Sequence, residues 1–128
     1  MAMGLGYYGY AKRTDDVPGR IAYRYSGVNL NVEYEKDSDH QLDGLFTLAA
    51  DVLDMYGGII QEANGQYFAA KLAWTAIEQG RITVERECAN AFRRDTVPCD
   101  YLAFRLIVHV LDERHKNGEW PDRTRFIQ

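Results

Sequence analysis

Hydrophobic and polar residues alternate along residues 20–35 so regularly that a strand register can be proposed. If Ser26 and Gly27 form a two-residue turn, the apolar residues on either side face each other in a β-hairpin. Charged and amide residues occupy the alternate positions, so the opposite face is expected to contact water. The pattern predicts a half-buried hairpin with the cross-strand pairs Tyr25/Val28, Tyr23/Leu30 and Ile21/Val32.

A further strand is predicted ahead of this hairpin, over residues 5–13. The segment is rich in tyrosine and glycine, and Pro18-Gly19 is a strong turn signal between it and the hairpin. Pairing of the two would give a three-stranded antiparallel sheet at the N-terminus. Glycines 4, 6 and 9 match the G-x-G-x-x-G spacing of dinucleotide-binding loops, but no strand can precede them, so we interpret them as strand glycines.

The hydrophobic period changes from that of a strand to that of a helix after the acidic segment 36–44. Residues 45–56 follow the spacing of an amphipathic helix, and Asp43 is placed to cap it. A strand over residues 44–49 is the alternative, because so short an apolar run fits both structures.

Three more helices are predicted downstream. The last begins at Pro98, ends at Gly118 and is apolar over more than half of its circumference, so we expect it to be central and to pack on the sheet. The tail from residue 119 contains Trp120 and Phe126, which we expect to pack back onto the body. The three helices are predicted over residues 64–80, from Thr83 to about residue 94, and over residues 98–118.

These elements predict an α+β fold: an N-terminal three-stranded antiparallel sheet followed by about four helices packed on one face. With 128 residues and no internal repeat or linker, the chain is expected to form a single domain over residues 1–128. Its 46% hydrophobic and 27% charged residues are typical of a soluble globular protein, and no apolar run is long enough to span a membrane. Two cysteines and no secretory signal predict reduced thiols and a cytoplasmic location.

Candidate chemistry is sparse. Acidic residues at alternate positions in residues 37–44 resemble the start of a calcium loop, but the bidentate glutamate that such a loop needs is missing. His109 and Glu113 lie one helical turn apart, without the spacing of a zinc hydrolase, and are interpreted as part of a solvated face. No catalytic residue, metal ligand or cofactor is therefore predicted.

One enzymatic alternative stays open at Cys99, in the first turn of the last predicted helix. The positive end of a helix dipole lowers the pKa of a thiol, and a nucleophile also needs a nearby base. His109 would be about 15 Å along the same helix, so a base could come only from His40 or His115. We expect a structural cysteine here, as for Cys88 on an apolar face.

Two surfaces are predicted to bind a partner. An acidic stripe on the first predicted helix would bind a basic partner, and tyrosines of the first strand would face away from the helices. Alternation along that strand exposes either Tyr7 or the pair Tyr8 and Tyr10. The partner-binding residues predicted on these two surfaces are Asp43, Asp51, Asp54, Tyr7, Tyr8 and Tyr10.

These surfaces predict a small non-catalytic protein-binding module, such as an inhibitor or an antitoxin- or immunity-like partner. Its partner is expected to be another protein, with self-association left open and no membrane contact. The first alternative is an enzyme with a Cys99/histidine/carboxylate site assembled by the fold. The second is nucleic-acid binding, which interspersed acidic residues disfavour, through an arginine cluster at Arg81, Arg86, Arg93 and Arg94.

Overall fold

The structure, a computed structural model, describes residues 7–29, 42–55, 66–88 and 97–127. In chain order the elements are β1 (Tyr7–Thr14), β2 (Ile21–Asn29), β3 (Gly44–Leu48), α1 (Val52–Met55), α2 (Gln66–Glu78), β4 (Ile82–Arg86), α3 (Tyr101–Asn117) and β5 (Arg123–Ile127). The strands lie in the order β4, β3, β2, β1, β5 in one antiparallel sheet, so the last strand of the chain pairs with the first.

The predicted three-stranded sheet with about four helices is wrong. The described residues form a five-stranded sheet and three helices, although the class is still mixed α+β. The segment expected to begin the first helix forms strand β3, the alternative that the sequence left open for that run. The start of the predicted third helix, from Thr83 to Arg86, lies in strand β4. Both segments are short and rich in β-branched or aromatic residues, which favour strands when a sheet edge is available. Residues 89–96 of the predicted third helix lie outside the described residues.

The predicted hairpin turn is also wrong. Strand β2 continues through Ser26 and Gly27, which pair with Tyr10 and Gly9 of β1. A methyl group added at Gly27 would clash with the Leu102 side chain, so the glycine allows the start of α3 to approach the strand closely. The cross-strand partners predicted beyond Asn29 lie outside the described residues.

Helices α2 and α3 cover one face of the sheet. Tyr23 and Tyr25 of β2 both point to this covered face, as their alternation predicts, and the Tyr23 ring stacks on Phe46 of β3 with 5.4 Å between ring centroids. Gly9 and Ala11 of β1 lie on the same face. The core contributed by α3 consists of Leu102, Ala103, Phe104, Leu106, Ile107, Val110 and Leu111.

The central position predicted for the last helix is confirmed. The Asp100 carboxylate caps its N-terminus by accepting a hydrogen bond from the Leu102 N–H, and Gly118 ends it with a left-handed φ of 77°. The predicted packing of the tail is confirmed for Phe126, which is buried, and Trp120, which is partly buried against the core. Across the described ranges, no helix is long and apolar enough to cross a membrane.

Candidate functional site

Five side chains of β1 and β5 lie together on the outer face of the sheet, the face opposite α2 and α3. We call this set the outer patch, and it consists of Tyr8, Tyr10, Lys12, Arg123 and Arg125. Alternation places Tyr8, Tyr10 and Lys12 opposite the buried Ala11. The register sets Arg125 directly beside Tyr10, and Arg123 beside Lys12.

The outer patch combines aromatic surface with unneutralised charge. Tyr8 and Tyr10 are half-buried, whereas Lys12, Arg123 and Arg125 are exposed. Among the described residues, the recorded ion pairs join Arg24 to Asp16, Arg81 to Asp51 and Lys116 to Asp112, and none involves a cation of the patch. Three positive charges are therefore available to a partner beside two tyrosine rings.

Of the predicted tyrosines, Tyr8 and Tyr10 are the pair that faces away from the helices, and the side chain of Tyr7 lies outside the described residues. Gly9 between them is strand glycine, as interpreted: a methyl group there would clash with the Phe126 ring. The two arginines were missed because they lie in the tail. Their alternation with Thr124 and Phe126 is a strand signal that the sequence does contain.

The acidic stripe loses its structural basis, because residues 44–48 form a strand instead of a helix. Asp43 precedes β3, and its carbonyl oxygen accepts a hydrogen bond of 2.6 Å from Arg86 Nε. Asp51 forms an ion pair with Arg81, whereas Asp54 is exposed in the short helix α1. These aspartates therefore do not form the single helical stripe on which their predicted role depended.

The predicted arginine cluster is only partly within the described residues, because Arg93 and Arg94 lie outside them. Arg81 pairs with Asp51, and its carbonyl oxygen accepts a hydrogen bond from Arg20 Nη2 at 2.9 Å. Arg86 is bonded to the Asp43 carbonyl. Both cations thus take part in contacts that hold the edge of the sheet.

A buried hydrogen-bond network surrounds the start of α3. The Tyr25 hydroxyl donates to Asp100 Oδ2 at 2.6 Å and accepts from the Cys88 N–H at 3.2 Å. Burial, followed by the Asp100 carboxylate, raises the pKa of Tyr25 well above its ordinary value. This network fixes the helix start to the middle of the sheet, and a capping aspartate before the last helix is a signal that the sequence carries.

The Cys99 site is not assembled among the described residues. Cys99 is buried, and its thiol donates to the carbonyl oxygen of Asp100 at 3.5 Å. His109 and His115 lie ten and sixteen residues further on, about 15 Å and about 24 Å along the helix axis, and His40 lies outside the described ranges. The described part of the chain therefore offers this thiol no histidine base.

A cleft of about 350 Å³ opens between α2 and α3. Its lining from α3 combines apolar and charged side chains, with Arg105, His109 and Asp112 on successive turns. The Arg105 guanidinium lies 5.5 Å from the centre of the Phe126 ring, and His109 is 6.0 Å from the same ring. His109 is half-buried instead of fully solvated, and burial, followed by the charge of Arg105, lowers its pKa.

Within the described ranges, no group of three or more histidine, cysteine, aspartate or glutamate residues could hold a metal ion. The chain matches no protein-family model, and it shows no significant similarity to a curated protein or to a solved structure. The case for a function therefore depends on the geometry of the outer patch and of the cleft.

Proposed function

We propose that this protein is a non-catalytic binding module that contacts an acidic surface of another protein through the outer patch. The observation that carries the proposal is the alignment of Tyr10 with Arg125, and of Lys12 with Arg123, on adjacent strands of one face. Tyrosine and arginine are enriched among the residues that dominate binding energy at protein interfaces. A strand scaffold holds them at fixed spacing, so little ordering entropy is lost on binding.

The charge of the patch selects an acidic partner. Three exposed cations without an ion-pair partner among the described residues would steer such a partner and disfavour a basic one. A protein partner fits better than a nucleic acid, because a nucleic acid is anionic along its whole length and would also meet the rest of a chain whose net charge is −4, whereas an acidic patch on a protein is local. The acidic residues Asp43, Asp51 and Asp54 are the weaker candidates, since Asp51 is neutralised by Arg81.

The mode of action we propose is occupation of the partner's surface, as in an inhibitor or an immunity-like protein. Along the helix axis His109 and His115 lie about 15 Å and about 24 Å beyond Cys99, so an enzymatic site at this thiol would need a base from elsewhere. The proposal includes a cytoplasmic location, which the two buried thiols Cys88 and Cys99 support.

The test is affinity capture from a lysate of the source cells with the immobilised protein. A captured protein is identified by mass spectrometry, and its affinity is then measured with purified material. Arg125→Glu and Tyr10→Ser are each expected to weaken that affinity at least about tenfold, which is about 1.4 kcal/mol. Lys71→Glu is the matched control, because Lys71 is also an exposed cation, on α2, and this substitution changes the net charge by the same amount as Arg125→Glu.

Asp54→Lys tests the acidic residues that the sequence predicts to bind a partner. Capture of the partner protein by this variant is expected to be unchanged. Equal loss in Lys71→Glu and Arg125→Glu would contradict the proposal, since net charge instead of the patch would then control binding. Capture that disappears after nuclease treatment would overturn the choice of a protein partner in favour of nucleic acid.

A further inference from the structure

The cleft between α2 and α3 is built differently on its two sides. Helix α2 contributes the small side chains Ala69 and Ala70, which leave space where larger residues would close the gap. Helix α3 contributes the apolar Phe104 and Val108. Phe104 is held in place by an edge-to-face contact with Trp74, with 6.3 Å between ring centroids. An apolar group could therefore enter this cleft and contact hydrocarbon on both helices.

The polar side of the cleft has an unused hydrogen-bond donor. Arg105 Nε is buried and has no acceptor among the described residues. Buried donors are nearly always paired, so an unpaired one calls for an acceptor that is supplied from elsewhere. Arg105 also lines the cleft, so a ligand oxygen bound there would give its guanidinium an acceptor.

The charges around the cleft favour an anion. Asp112 is already paired with Lys116 at 2.9 Å, whereas no recorded ion pair among the described residues includes Arg105. The charged and titratable groups that act on His109 are Arg105, Glu113, Asp112 and Lys116. Arginine presents its donors in a planar fork that matches a carboxylate.

We propose that this cleft binds a small organic carboxylate, with its charged group on Arg105 and its apolar group between Phe104, Val108 and the two alanines. The volume of about 350 Å³ lies at the lower end of the range for small-molecule sites. The site is independent of the outer patch. It takes a ligand of a different class on the helical side of the sheet.

Nuclear magnetic resonance titration of the whole protein with hexanoate tests the proposal. Hexanoate is expected to produce saturable shifts at residues 69–70 and 104–112, with a dissociation constant at or below about 1 mM. A carboxylate beside His109 should also raise the pKa of its imidazole, which is read from the ring proton shifts as a function of pH. Hexylamine, which has the same chain and the opposite charge, should give neither effect.

Two variants locate the binding. Arg105→Gln is expected to weaken hexanoate at least about tenfold, whereas Arg114→Gln, on the same helix above Trp120, should leave it unchanged. Ala70→Leu keeps every charge but fills the cleft, and it should also abolish binding.

Absence of saturable shifts in the wild type would overturn the proposal. Equal binding of hexylamine or of inorganic phosphate would do so as well, because the carboxylate or the apolar group would then not be recognised. Retained binding in Ala70→Leu would place the ligand outside the cleft and also contradict it. None of these outcomes bears on capture of a protein by the outer patch, so the two proposals fail separately.

Discussion

Tyr23 and Tyr25 on β2 point to the helix-covered face of the sheet, whereas Tyr8 and Tyr10 on the adjacent strand β1 lie on the outer face. The two inner rings are fully buried, and their hydroxyls donate to the Pro121 carbonyl oxygen and to the Asp100 carboxylate. The outer pair is half-buried, and no such hydroxyl bond is recorded within the described ranges. The same residue type therefore stabilises the fold on one face and is available for binding on the other.

The basic residues of the outer face also differ in whether their side chains are bonded, and the difference follows the two halves of that face. Toward β3 and β4, Arg20 donates to Thr47 Oγ1 at 2.8 Å and to the Arg81 carbonyl oxygen. Toward β1 and β5, no recorded ion pair or hydrogen bond among the described side chains includes Arg123 or Arg125. A cation that is already bonded adds to stability, while one that is not is available to a partner.

Substitution of Asp100 should have the largest effect on stability, because one carboxylate serves both the helix and the covered face. Asp100→Ala removes the N-cap of α3, which costs about 1 kcal/mol, and leaves the buried Tyr25 hydroxyl without its acceptor, which costs about 2 kcal/mol more. We expect the free energy of unfolding, measured by urea denaturation, to fall by about 3 kcal/mol.

Asp54→Ala is the control for this experiment, since Asp54 is exposed and its removal should change stability by no more than about 0.5 kcal/mol. Tyr25→Phe should interact with Asp100→Ala, so that the double variant loses less than the sum of the single losses. A loss below about 1 kcal/mol in Asp100→Ala would mean that the covered-face tyrosine does not depend on this carboxylate.

Alkaline pH should lower the free energy of unfolding through the buried hydroxyl of Tyr25, by less than the loss expected for Asp100→Ala. Burial raises the pKa of Tyr25 in the folded protein, whereas the unfolded chain ionises near its ordinary value of about 10. Below that value both states keep the proton, and above it only the folded state does. The free energy of unfolding should therefore fall by about 1.4 kcal/mol per pH unit above about pH 10 from this residue alone.

Urea denaturation between about pH 9 and about pH 11 measures this slope. Other groups also titrate in that range, so comparison with Tyr25→Phe gives the part of the slope that is due to Tyr25. The slope of the variant should be shallower than that of the wild type. Equal slopes in the wild type and Tyr25→Phe would contradict the raised pKa of the inner tyrosine.

Helix α3 could be predicted from the sequence because every local signal agrees. It is long, its apolar residues follow the helical period, and both ends carry signals, with Gly118 closing it. Strands β3 and β4 could not be assigned in the same way. Each is only five residues long, so its hydrophobic pattern fits either period, and the pairing of β3 with β2 and of β4 with β3 decides the structure. Ser26-Gly27 was misassigned because the glycine serves the close approach of Leu102, which is distant in sequence.

The candidate sites also combine residues that local sequence signals predict with residues that only long-range contacts bring into place. Alternation within β1 already limits which tyrosines can face outward, so the two tyrosines of the outer patch were predictable. Arg123 and Arg125 join it only because β5 pairs with β1, more than a hundred positions away in the sequence. The cleft at Arg105 likewise depends on how two helices pack, and helical periodicity alone assigns that arginine and His109 to a solvated face.

The smallest expected effect is on the free energy of unfolding when either of two arginines on the outer face is replaced. Arg20→Ala removes two hydrogen bonds from the β3 side of the sheet and should lower the free energy of unfolding by about 1 kcal/mol. Arg125→Ala removes an exposed cation that has no recorded ion pair within the described ranges, so we expect a change of no more than about 0.5 kcal/mol.

The order should reverse when the affinity for the captured protein is measured, with Arg125→Ala weakening it more than Arg20→Ala. The two variants remove the same side chain from neighbouring parts of one surface, so each serves as the control for the other. If Arg125→Ala cost as much stability as Arg20→Ala, the two halves of the outer face would both be structural. The cations of the outer patch would then not be available to a partner without a cost to the fold.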